Sequence, residues 1–267
     1  MIPLVSVIIP CYNAERFVEK AVRSIMEQSY RNLEIIVIDD CSQDSTGKIL
    51  GKLSLEDKRI KYIKNEKNIK LPRTLNKAIR LSSGEYIARM DADDISFPDR
   101  FQKQLEFLVS NPNVDLVSAN SQYIDENENI LSVRTYHPSE HSDIISVLPW
   151  KCPFVHPLIM AKRTFFEELN GYDTSLPYAE DYELWIRGWL NSKRYHNLSD
   201  ILLQYRVHSN QMTSSEFNAK NAKVIRSFLY DYFLKTKKIK FLFGVLLQSK
   251  LFFYLIHKTY NIRKLLK

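Results

Sequence analysis

The sequence predicts an α/β fold built on a Rossmann-like, mostly parallel sheet that is flanked by helices. From residue 4 to about 119, short apolar segments rich in β-branched residues alternate with segments whose apolar residues recur at helical spacing. The strand-like segments are apolar almost throughout, as expected for a sheet covered on both faces. Strands that alternate with helices form right-handed βαβ units, and the strands of such units are parallel.

The elements follow in order along the chain. Strands are predicted over 5–9, 33–38, 60–63, 86–90 and 114–119, and helical spacing is found within 17–26, 49–53, 71–79 and 101–109. The apolar segment 1–10 lacks a positively charged start, which favours a buried strand over a secretory signal. After residue 120 the pattern is less regular, with strand signals over 130–136 and a helix over 181–190.

Composition excludes several classes of protein. Aromatic residues make up 12% of the 267 residues, which excludes disorder throughout the chain. The 3 cysteines are widely spaced and form no CxxC pair, so we expect neither a disulfide framework nor a cysteine-based zinc site. A reducing, cytoplasmic compartment fits this cysteine content.

Positive charge is concentrated at the end of the chain. Residues 232–267 contain nine Lys and Arg and no Asp or Glu. Because the whole chain carries +7, removing these nine charges leaves −2 for residues 1–231. A nucleic-acid-binding domain more often has its basic surface on the folded body, so we expect no nucleic-acid partner. A basic tail instead suggests an anionic lipid surface.

Three predicted strands end in polar residues. The first leads into Asn13, the second into Asp39 and Asp40, and the fourth into Asp91. Ligands of open parallel sheets bind beyond the carboxyl ends of the strands, and these ends share one rim. The sequence therefore predicts a binding site at this rim.

Three carboxylates follow the fourth strand within four residues: Asp91, Asp93 and Asp94. Helix capping or a turn is the plainer explanation, but capping uses a single carboxylate. Charges of one sign so close together repel. A hard divalent cation would relieve that repulsion and requires several oxygen ligands. We therefore favour a metal or metal–diphosphate site.

A second acidic strand end is formed by Asp39 and Asp40, which hydroxyl-bearing residues follow. One of these carboxylates could accept hydrogen bonds from a pyrimidine imide or from ribose hydroxyls. Capping of the next helix by Asp44 or Ser45 is also expected, but it does not explain the two preceding acids.

Together these segments resemble the family 2 glycosyltransferases. The resemblance is carried by residues 5–13 (VSVIIPCYN), 38–42 (IDDCS) and 84–94 (GEYIARMDADD), in the order and spacing of that family, and it covers roughly residues 3–215. It implies a GT-A fold with a nucleotide-sugar-binding half (1–120), an acceptor-binding half (121–215) and, here, a basic helical extension (216–267).

The resemblance implies roles for residues on the donor side. Pro10 and Tyr12 correspond to the first nucleotide-contacting loop, with the tyrosine ring against the base. Asp40 or Asp39 corresponds to the residue that reads uracil, so UDP-sugars are the favoured donors. Lys70 stands where family members often have glycine, which leaves open whether it touches a phosphate or is only solvated.

The metal and its ligands are implied in the same way. Asp91 and Asp93 resemble the DxD pair that holds Mn²⁺ or Mg²⁺. Asp93 is the better candidate for direct contact with the metal, and Asp91 for the ribose or a metal-bound water. His208 resembles a late family histidine that could bind the metal or the diphosphate, or could be an ordinary surface histidine.

Glu180 and Asp181 resemble the family's ED motif. Inverting transfer is a single displacement, and it requires a base for the acceptor hydroxyl on the face opposite the leaving diphosphate. Asp181 is the predicted base and Glu180 its neighbour. From the residues alone, a helix cap or a first-turn acid favoured by the helix dipole is the preferred explanation of Asp181. His156 and Trp185 are acceptor-site candidates, although Trp185 has the spacing of a core residue.

The tail contains a predicted helix that packs on the body and two apolar blocks, 241–247 and 251–256. The apolar window 241–256 is shorter than the ~20 residues that span a bilayer. Its basic flanks suit a helix that lies in an anionic membrane interface, so residues 236–267 predict peripheral attachment to the inner face of the cell membrane. A helix packed on the body or in a dimer is the alternative.

The sequence thus predicts an inverting, metal-dependent glycosyltransferase of surface polysaccharide biosynthesis, acting on a glycan or lipid-linked acceptor. A sugar nucleotidyltransferase also combines an α/β sheet with acidic metal ligands, but it would release pyrophosphate. A non-catalytic nucleotide- or sugar-binding module would require no base.

Overall fold

The structure is a computed structural model that describes residues 2–134, 138–176, 178–208 and 215–247. Its strands are β1 (Val5–Cys11), β2 (Leu33–Asp39), β3 (Ile60–Lys64), β4 (Tyr86–Arg89), β5 (Ile95–Ser96), β6 (Leu116–Ile124), β7 (Ile130–Arg134), β8 (Met160–Lys162) and β9 (Tyr195–Arg206). Its helices are α1 (Val18–Met26), α2 (Thr46–Glu56), α3 (Leu71–Leu81), α4 (Arg100–Ser110), α5 (His141–Val147), α6 (Arg163–Glu168), α7 (Glu180–Leu190), α8 (Ser215–Thr236) and α9 (Ile239–Leu247), with a 3₁₀ turn at His156–Leu158.

The strands of the described residues form one sheet in the order β3-β2-β1-β4-β8-β6-β9-β5, with β7 paired to β6. Strands β3, β2, β1 and β4 are parallel, as predicted. Strand β8 is antiparallel to both β4 and β6, so β6 points in the same direction as β4 but does not adjoin it. The carboxyl ends of β1, β2 and β4 therefore lie side by side at one rim.

Periodicity explains the two core layers. Residues of β1 and β2 with odd numbers pack against α1, α2 and α4, and those with even numbers pack against α3 and the C-terminal helices. Successive strand side chains point to opposite faces, so both faces require apolar residues. Full burial of each Val or Ile contributes about 1.5–3 kcal/mol. The continuous apolar strands of the sequence reflect this double coverage.

Helices α8 and α9 pack on the even-numbered face. Phe228 and Leu229 of α8 and Phe241 of α9 are buried there. Gly244 lies so close to the body that an added Cβ would come 2.1 Å from the carbonyl oxygen of Pro149. This part of the tail therefore covers the core, and the second predicted apolar block, 251–256, lies outside the described residues. No helix in the described part of the chain combines the length and the hydrophobicity needed to cross a bilayer.

The less regular half after residue 120 completes the same sheet. The predicted helix over 181–190 is α7, and the strand signals over 130–136 correspond to β7. The expected boundary after residue 120 falls within β6, so the two halves share a sheet instead of forming separate cores. Strand β8, which joins them, has three residues and is too short to show a pattern in the sequence.

Candidate active site

The acidic segment after β4 is anchored by an arginine within that strand. Buried Arg89 donates two hydrogen bonds to the carboxylate of Asp91, one of them 3.0 Å long from Nη1 to Oδ2. Burial raises the pKa of Asp91 to about 6, Arg89 opposes the shift, and the charge of Asp93 adds to it. Asp91 is thus held in a fixed orientation with its carboxylate at the rim.

Strand β9 ends against the same segment. The backbone N–H of Arg206 donates to Oδ1 of Asp94 at 2.9 Å, and Nε of Arg206 donates to the carbonyl oxygen of Asp93 at 2.7 Å. Two residues further, Nε2 of His208 lies 2.9 Å from Oδ2 of Asp93. The ring of Phe17 packs below both side chains, with the Arg206 guanidinium 4.7 Å and the His208 ring 5.3 Å from its centroid. β9 thus brings His208 to the acidic segment.

The residues of this cluster fit a divalent cation. Carboxylate oxygens of Asp91, Asp93 and Asp94 lie within 4.8 Å of one another. Oδ2 of Asp94 is buried without a hydrogen-bond partner among the described residues, and burial raises the pKa of Asp94 well above its usual value. Oxygen donors together with one imidazole suit Mg²⁺ or Mn²⁺. A cation here would compensate the buried Asp94 carboxylate oxygen, which has no hydrogen-bond partner among the described residues.

The second acidic strand end has two distinct environments. Asp40 accepts hydrogen bonds from the side chain of Asn65 (2.8 Å) and from the backbone N–H groups of Ile69 and Lys70 (2.9 Å each), so it shapes the loop before α3. Asp39 is fully buried, and its Oδ2 has no hydrogen-bond partner among the described residues. Oδ2 of Asp39 lies 4.0 Å from Nζ of Lys64 and so has an ion-pair partner, whereas both oxygens of Asp40 accept hydrogen bonds.

The backbone at Lys70 has a conformation that suits glycine. Its φ is +72°, in the left-handed region that favours glycine. Its backbone N–H donates to Asp40, and its side chain is exposed at the rim. The backbone geometry is therefore the role that Lys70 shares with glycine, and its ammonium group is an addition.

The loop after β1 forms the next part of the rim. Asn13 receives a hydrogen bond from the backbone of Gln43 (2.9 Å) and donates its own N–H to Ser42 (3.0 Å), which connects this loop to the one after β2. Pro10 is half-buried within β1, and Tyr12 is 50% exposed. An exposed aromatic ring held between two strand ends is suitable for stacking on a planar base.

Glu180 and Asp181 begin α7. The N-cap residue is Ala179, in the left-handed region with φ 58°, so neither acid is the cap, but both lie in the first turn, where the helix dipole favours them. The residue Glu180 is 5% exposed and the Asp181 side chain 23%. Burial, reinforced by the charge of Asp181, raises the pKa of Glu180 to about 7, and burial also raises the pKa of Asp181. Asp181 is the more accessible of the two carboxylates.

The acceptor-site candidates differ in position. Nδ1 of His156 lies 3.8 Å from Oδ2 of Asp181, beside the proposed base. Trp185 is fully buried, and its ring packs edge-on against Phe154 and His156. As an acceptor contact the prediction for Trp185 is wrong, because a ring without exposed surface cannot stack on a sugar. It packs behind His156 as a core residue.

The two acidic groups are close enough to influence each other electrostatically. Charge on Asp181 contributes to the raised pKa of Asp91, and the charges of Glu180 and Asp181 both stabilise the Arg89 cation. On the other side, the Cys11 thiol has its pKa raised by burial and further by Asp39, Asp91 and Asp93. Residues far apart in the chain are therefore electrostatic neighbours.

The sequence analysis missed several residues of the site. Arg89 and Phe17 position the acidic segment and β9, and Tyr172 lies 2.9 Å from His156. An arginine inside an otherwise apolar strand was a usable signal, because a buried charge requires a partner. No sequence pattern indicated Phe17 or Tyr172, whose roles arise only from packing.

Comparison with protein families identifies a relationship across this region. The family described as Glycosyl transferase family 2 matches residues 6–169, which is more than half of the chain. The O-antigen biosynthesis glycosyltransferase WbnJ of Escherichia coli is 32% identical over 221 residues, covering 80% of this chain and 84% of WbnJ. The match includes the rim of β1, β2 and β4.

Solved structures show the same fold. S. aureus TarS in complex with UDP-GlcNAc aligns with a TM-score of 0.71 and 19% identity, over 86% of this chain and 66% of the TarS chain. The mannosyltransferase PcManGT of Pyrobaculum calidifontis, solved with GDP-Man and Mn²⁺, aligns with a TM-score of 0.65 and 22% identity, over 86% of this chain and 64% of its own. This chain therefore spans about two thirds of either structure, and the predicted GT-A fold is confirmed.

Proposed function

The chain belongs to glycosyl transferase family 2, and from that premise we propose that it transfers a sugar from a nucleoside-diphosphate sugar to a hydroxyl group of a glycan or lipid-linked glycan, with inversion at the anomeric carbon. The proposal is carried by the placement of two acidic groups on either side of β4: Arg89 of β4 holds Asp91 of the cluster Asp91, Asp93 and Asp94. The backbone N–H of Arg89 bonds to Ile159 at the end of the 3₁₀ turn whose His156 lies 3.8 Å from Asp181. The cluster of three aspartates is suited to bind a metal–diphosphate, and the Glu180–Asp181 pair is suited to supply the general base.

The donor occupies the rim of β1, β2 and β4 in this proposal. Tyr12 stacks on the base, beside Pro10, and a UDP-sugar is the favoured donor. The Asp39 carboxylate binds the base or the ribose, while Asp40 acts by holding the loop that ends at Lys70. The exposed ammonium group of Lys70 lies at the rim and is offered to the diphosphate.

Asp93 and His208 would hold the divalent cation, with Asp91 oriented by Arg89 toward the ribose or a metal-bound water. Manganese accompanies GDP-Man in the related mannosyltransferase structure, and either Mn²⁺ or Mg²⁺ suits the donor set here. When bound, the ion supplies positive charge that offsets the charge developing on the diphosphate.

Asp181 acts as the general base. It removes the proton of the acceptor hydroxyl as that oxygen bonds to the anomeric carbon and the bond from this carbon to the diphosphate breaks. The products are the inverted glycoside and a nucleoside diphosphate, and Asp181 returns the proton to solvent. A carboxylate whose pKa burial raises is a stronger base than an exposed aspartate. Glu180, which is more deeply buried, adds negative charge beside it.

A nucleotide-sugar screen tests this function. We expect UDP-sugars with Mn²⁺ to raise the melting temperature, and transfer to release a nucleoside diphosphate. Release of pyrophosphate would assign the protein to the nucleotidyltransferases instead. Binding without turnover on any glycan or lipid-linked acceptor would support a non-catalytic module. Omitting Mn²⁺ is the matched control.

The setting we propose is surface polysaccharide synthesis on the inner face of the cell membrane. The O-antigen enzyme WbnJ supports the first part by its name. For the second, Ile239 (74% exposed), Phe243 and Leu246 lie on the solvent side of α9. Together with the basic residues of 236–267, this face is suited to anionic lipid.

Vesicle sedimentation tests the membrane contact. We expect the full chain to sediment with phosphatidylglycerol vesicles, and less with phosphatidylcholine vesicles. Combining Ile239→Ser, Phe243→Ser and Leu246→Ser should abolish sedimentation while keeping the buried Phe241. The control is Leu55→Ser, at an 87% exposed position on α2. Equal sedimentation of the triple variant and the control would contradict this contact and leave the catalytic proposal intact.

A further inference from the structure

His156 is placed between the predicted base and a buried phenol. Its Nδ1 lies 3.8 Å from Oδ2 of Asp181, and its Nε2 lies 2.9 Å from the hydroxyl oxygen of Tyr172. The first distance is within ion-pair range but longer than a hydrogen bond. The imidazole therefore uses one nitrogen for Tyr172 and turns the other toward the carboxylate.

Tyr172 is held by its backbone. Asn76 of α3 accepts from the backbone N–H of Tyr172 and donates to its carbonyl oxygen, each at 2.8 Å. The preceding Gly171 has φ +67°, and a Cβ there would lie 2.3 Å from Oδ1 of Asn76. Arg187 of α7 donates to the carbonyl oxygen of Gly171 at 2.9 Å. Two helices, α3 and α7, thus fix the segment that carries the phenol in contact with His156.

The surroundings decide which nitrogen of His156 has the proton. Burial, together with the charge of Arg89, lowers the pKa of His156 well below its usual value, so the ring is neutral. Burial raises the pKa of Tyr172, so its hydroxyl keeps its proton and can donate to Nε2. A neutral imidazole that accepts at Nε2 has its hydrogen on Nδ1. The opposite tautomer would turn a lone pair toward the Asp181 carboxylate, which is electrostatically unfavourable.

We propose that His156 is a positioning residue for Asp181: the Nδ1–H of a neutral imidazole, fixed by Tyr172, faces Oδ2 of the carboxylate and leaves the other oxygen to take the acceptor's proton. This inference rests on the proposed function, because it assigns a purpose to His156 only if Asp181 is the base. The other charged groups acting on this pair are Arg89 and Asp91 from the β4 segment and Glu180 from α7. It replaces direct contact with the acceptor as the role of His156.

The test compares His156→Ala with His156→Asn, whose amide nitrogen occupies nearly the place of Nδ1. We expect the alanine variant to lose about 10-fold or more in kcat, with the donor KM and nucleoside-diphosphate affinity unchanged, and the asparagine variant to retain most of the activity. The acid limb of the kcat–pH profile should move to higher pH in the alanine variant, because the carboxylate anion loses the N–H dipole that faces it. Tyr172→Phe should show a smaller shift in the same direction.

His196 provides a matched control, because its Nδ1 also lies 3.8 Å from a carboxylate, that of Glu140. His196→Ala should leave kcat and the pH profile unchanged. Three outcomes would overturn the inference. They are a His156→Asn variant as inactive as His156→Ala, equal losses of kcat and nucleotide affinity in His156→Ala, and an acid limb of the pH profile that does not move. If His156→Ala does not fold, the asparagine and Tyr172→Phe profiles decide the question. Full activity of Asp181→Asn would instead refute the assignment of Asp181 as the base. Because it uses a different variant, this result is distinguishable from a failure of the His156 inference.

Discussion

Two carboxylate groups at opposite ends of the same parallel strands have opposite electrostatics. At the amino end, Glu34 of β2 accepts hydrogen bonds from Ser6, from Ser83 and Gly84 and, at 2.6 Å, from Lys61. Burial acts to raise its pKa, but these donors, with Lys61 and Ser6 foremost, lower the pKa to about 2. At the carboxyl end, burial raises the pKa of Asp91, Asp94 and Asp181.

The difference separates a structural carboxylate from reactive ones. Glu34 is saturated with donors, and it joins the start of β4 to β1 and β2. Gly84 allows this close approach, because a Cβ there would lie 2.6 Å from Oγ of Ser6. At the other end, Oδ2 of Asp94 has no hydrogen-bond partner among the described residues. Acids buried with too few donors are costly to the fold, and such sites are typical of function.

The largest effect is expected from neutralising the base. Asp181→Asn should reduce transfer by at least about 10²-fold, because the acceptor hydroxyl loses its general base, while nucleotide affinity stays nearly unchanged. Turnover and calorimetric binding of UDP should be measured on the same preparation. The isosteric change Glu34→Gln is the comparison, and we expect it to keep kcat at low temperature. If Asp181→Asn and the parent enzyme turn over at the same rate, Asp181 is not the base, and the contrast between a structural Glu34 and a reactive Asp181 is wrong.

A metal-site variant should have the next largest effect. Asp93→Ala removes a carboxylate that His208 contacts at 2.9 Å, and we expect Mn²⁺-dependent nucleotide affinity to be lost. His208→Ala should weaken this affinity by about 10-fold or more, because the cation would lose one of its proposed ligands and Asp93 would lose its partner. Titration calorimetry with and without Mn²⁺ measures both. Unchanged affinity in Asp93→Ala would contradict the metal assignment.

Glu34→Gln should instead lower the free energy of unfolding, by about 1–3 kcal/mol, because buried donors lose their charged acceptor. Chemical denaturation measures this loss. The neighbouring control is Glu85→Gln, at an exposed position, for which we expect a change within about 0.5 kcal/mol. If both variants unfold at the same denaturant concentration, the donors around Glu34 contribute no stability.

The smallest effect is a dependence of stability on pH. Because the pKa of Glu34 falls from 4.5 to about 2 on folding, the unfolded chain binds more protons between these values. The contribution of ionised Glu34 to the free energy of unfolding is therefore complete above pH 4.5. It decreases as the pH falls from 4.5 toward 2 and is absent below about pH 2. Denaturation of the parent and Glu34→Gln across this range should show their difference shrinking with acid. A constant difference would mean that charge at Glu34 is irrelevant.

The parallel half of the fold and the acidic residues of the site were predictable from local pattern. The apolar strands of β1, β2 and β4 and the acids at their ends are contiguous in the chain, so spacing alone indicated a shared rim. The chain order of the later strands was not predictable. Strand β8 has three residues and enters antiparallel beside β4, a pairing that depends on contacts across the whole chain.

Within the site, residue type was more predictable than environment. Lys70 was uncertain from the sequence, and its φ of +72° shows why a flexible residue is common there. Trp185 has the spacing of a helix-face residue, but only packing against Phe154 and His156 decides that it is buried. Asp39 and Asp40 are adjacent and identical in type, yet Oδ2 of Asp39 lies 4.0 Å from the Lys64 ammonium, whereas Asp40 accepts hydrogen bonds from the loop before α3.

The sequence by itself determined that this protein has a doubly covered parallel sheet with carboxylates at its rim, because strand periodicity and strand ends are local properties of the chain. Tertiary structure alone decided which carboxylates are saturated and which remain reactive. Donors such as Arg89, Tyr172 and Lys61 reach their partners only when the chain folds. Burial then strengthens each hydrogen bond that is made and raises the cost of each polar atom that is left without a partner.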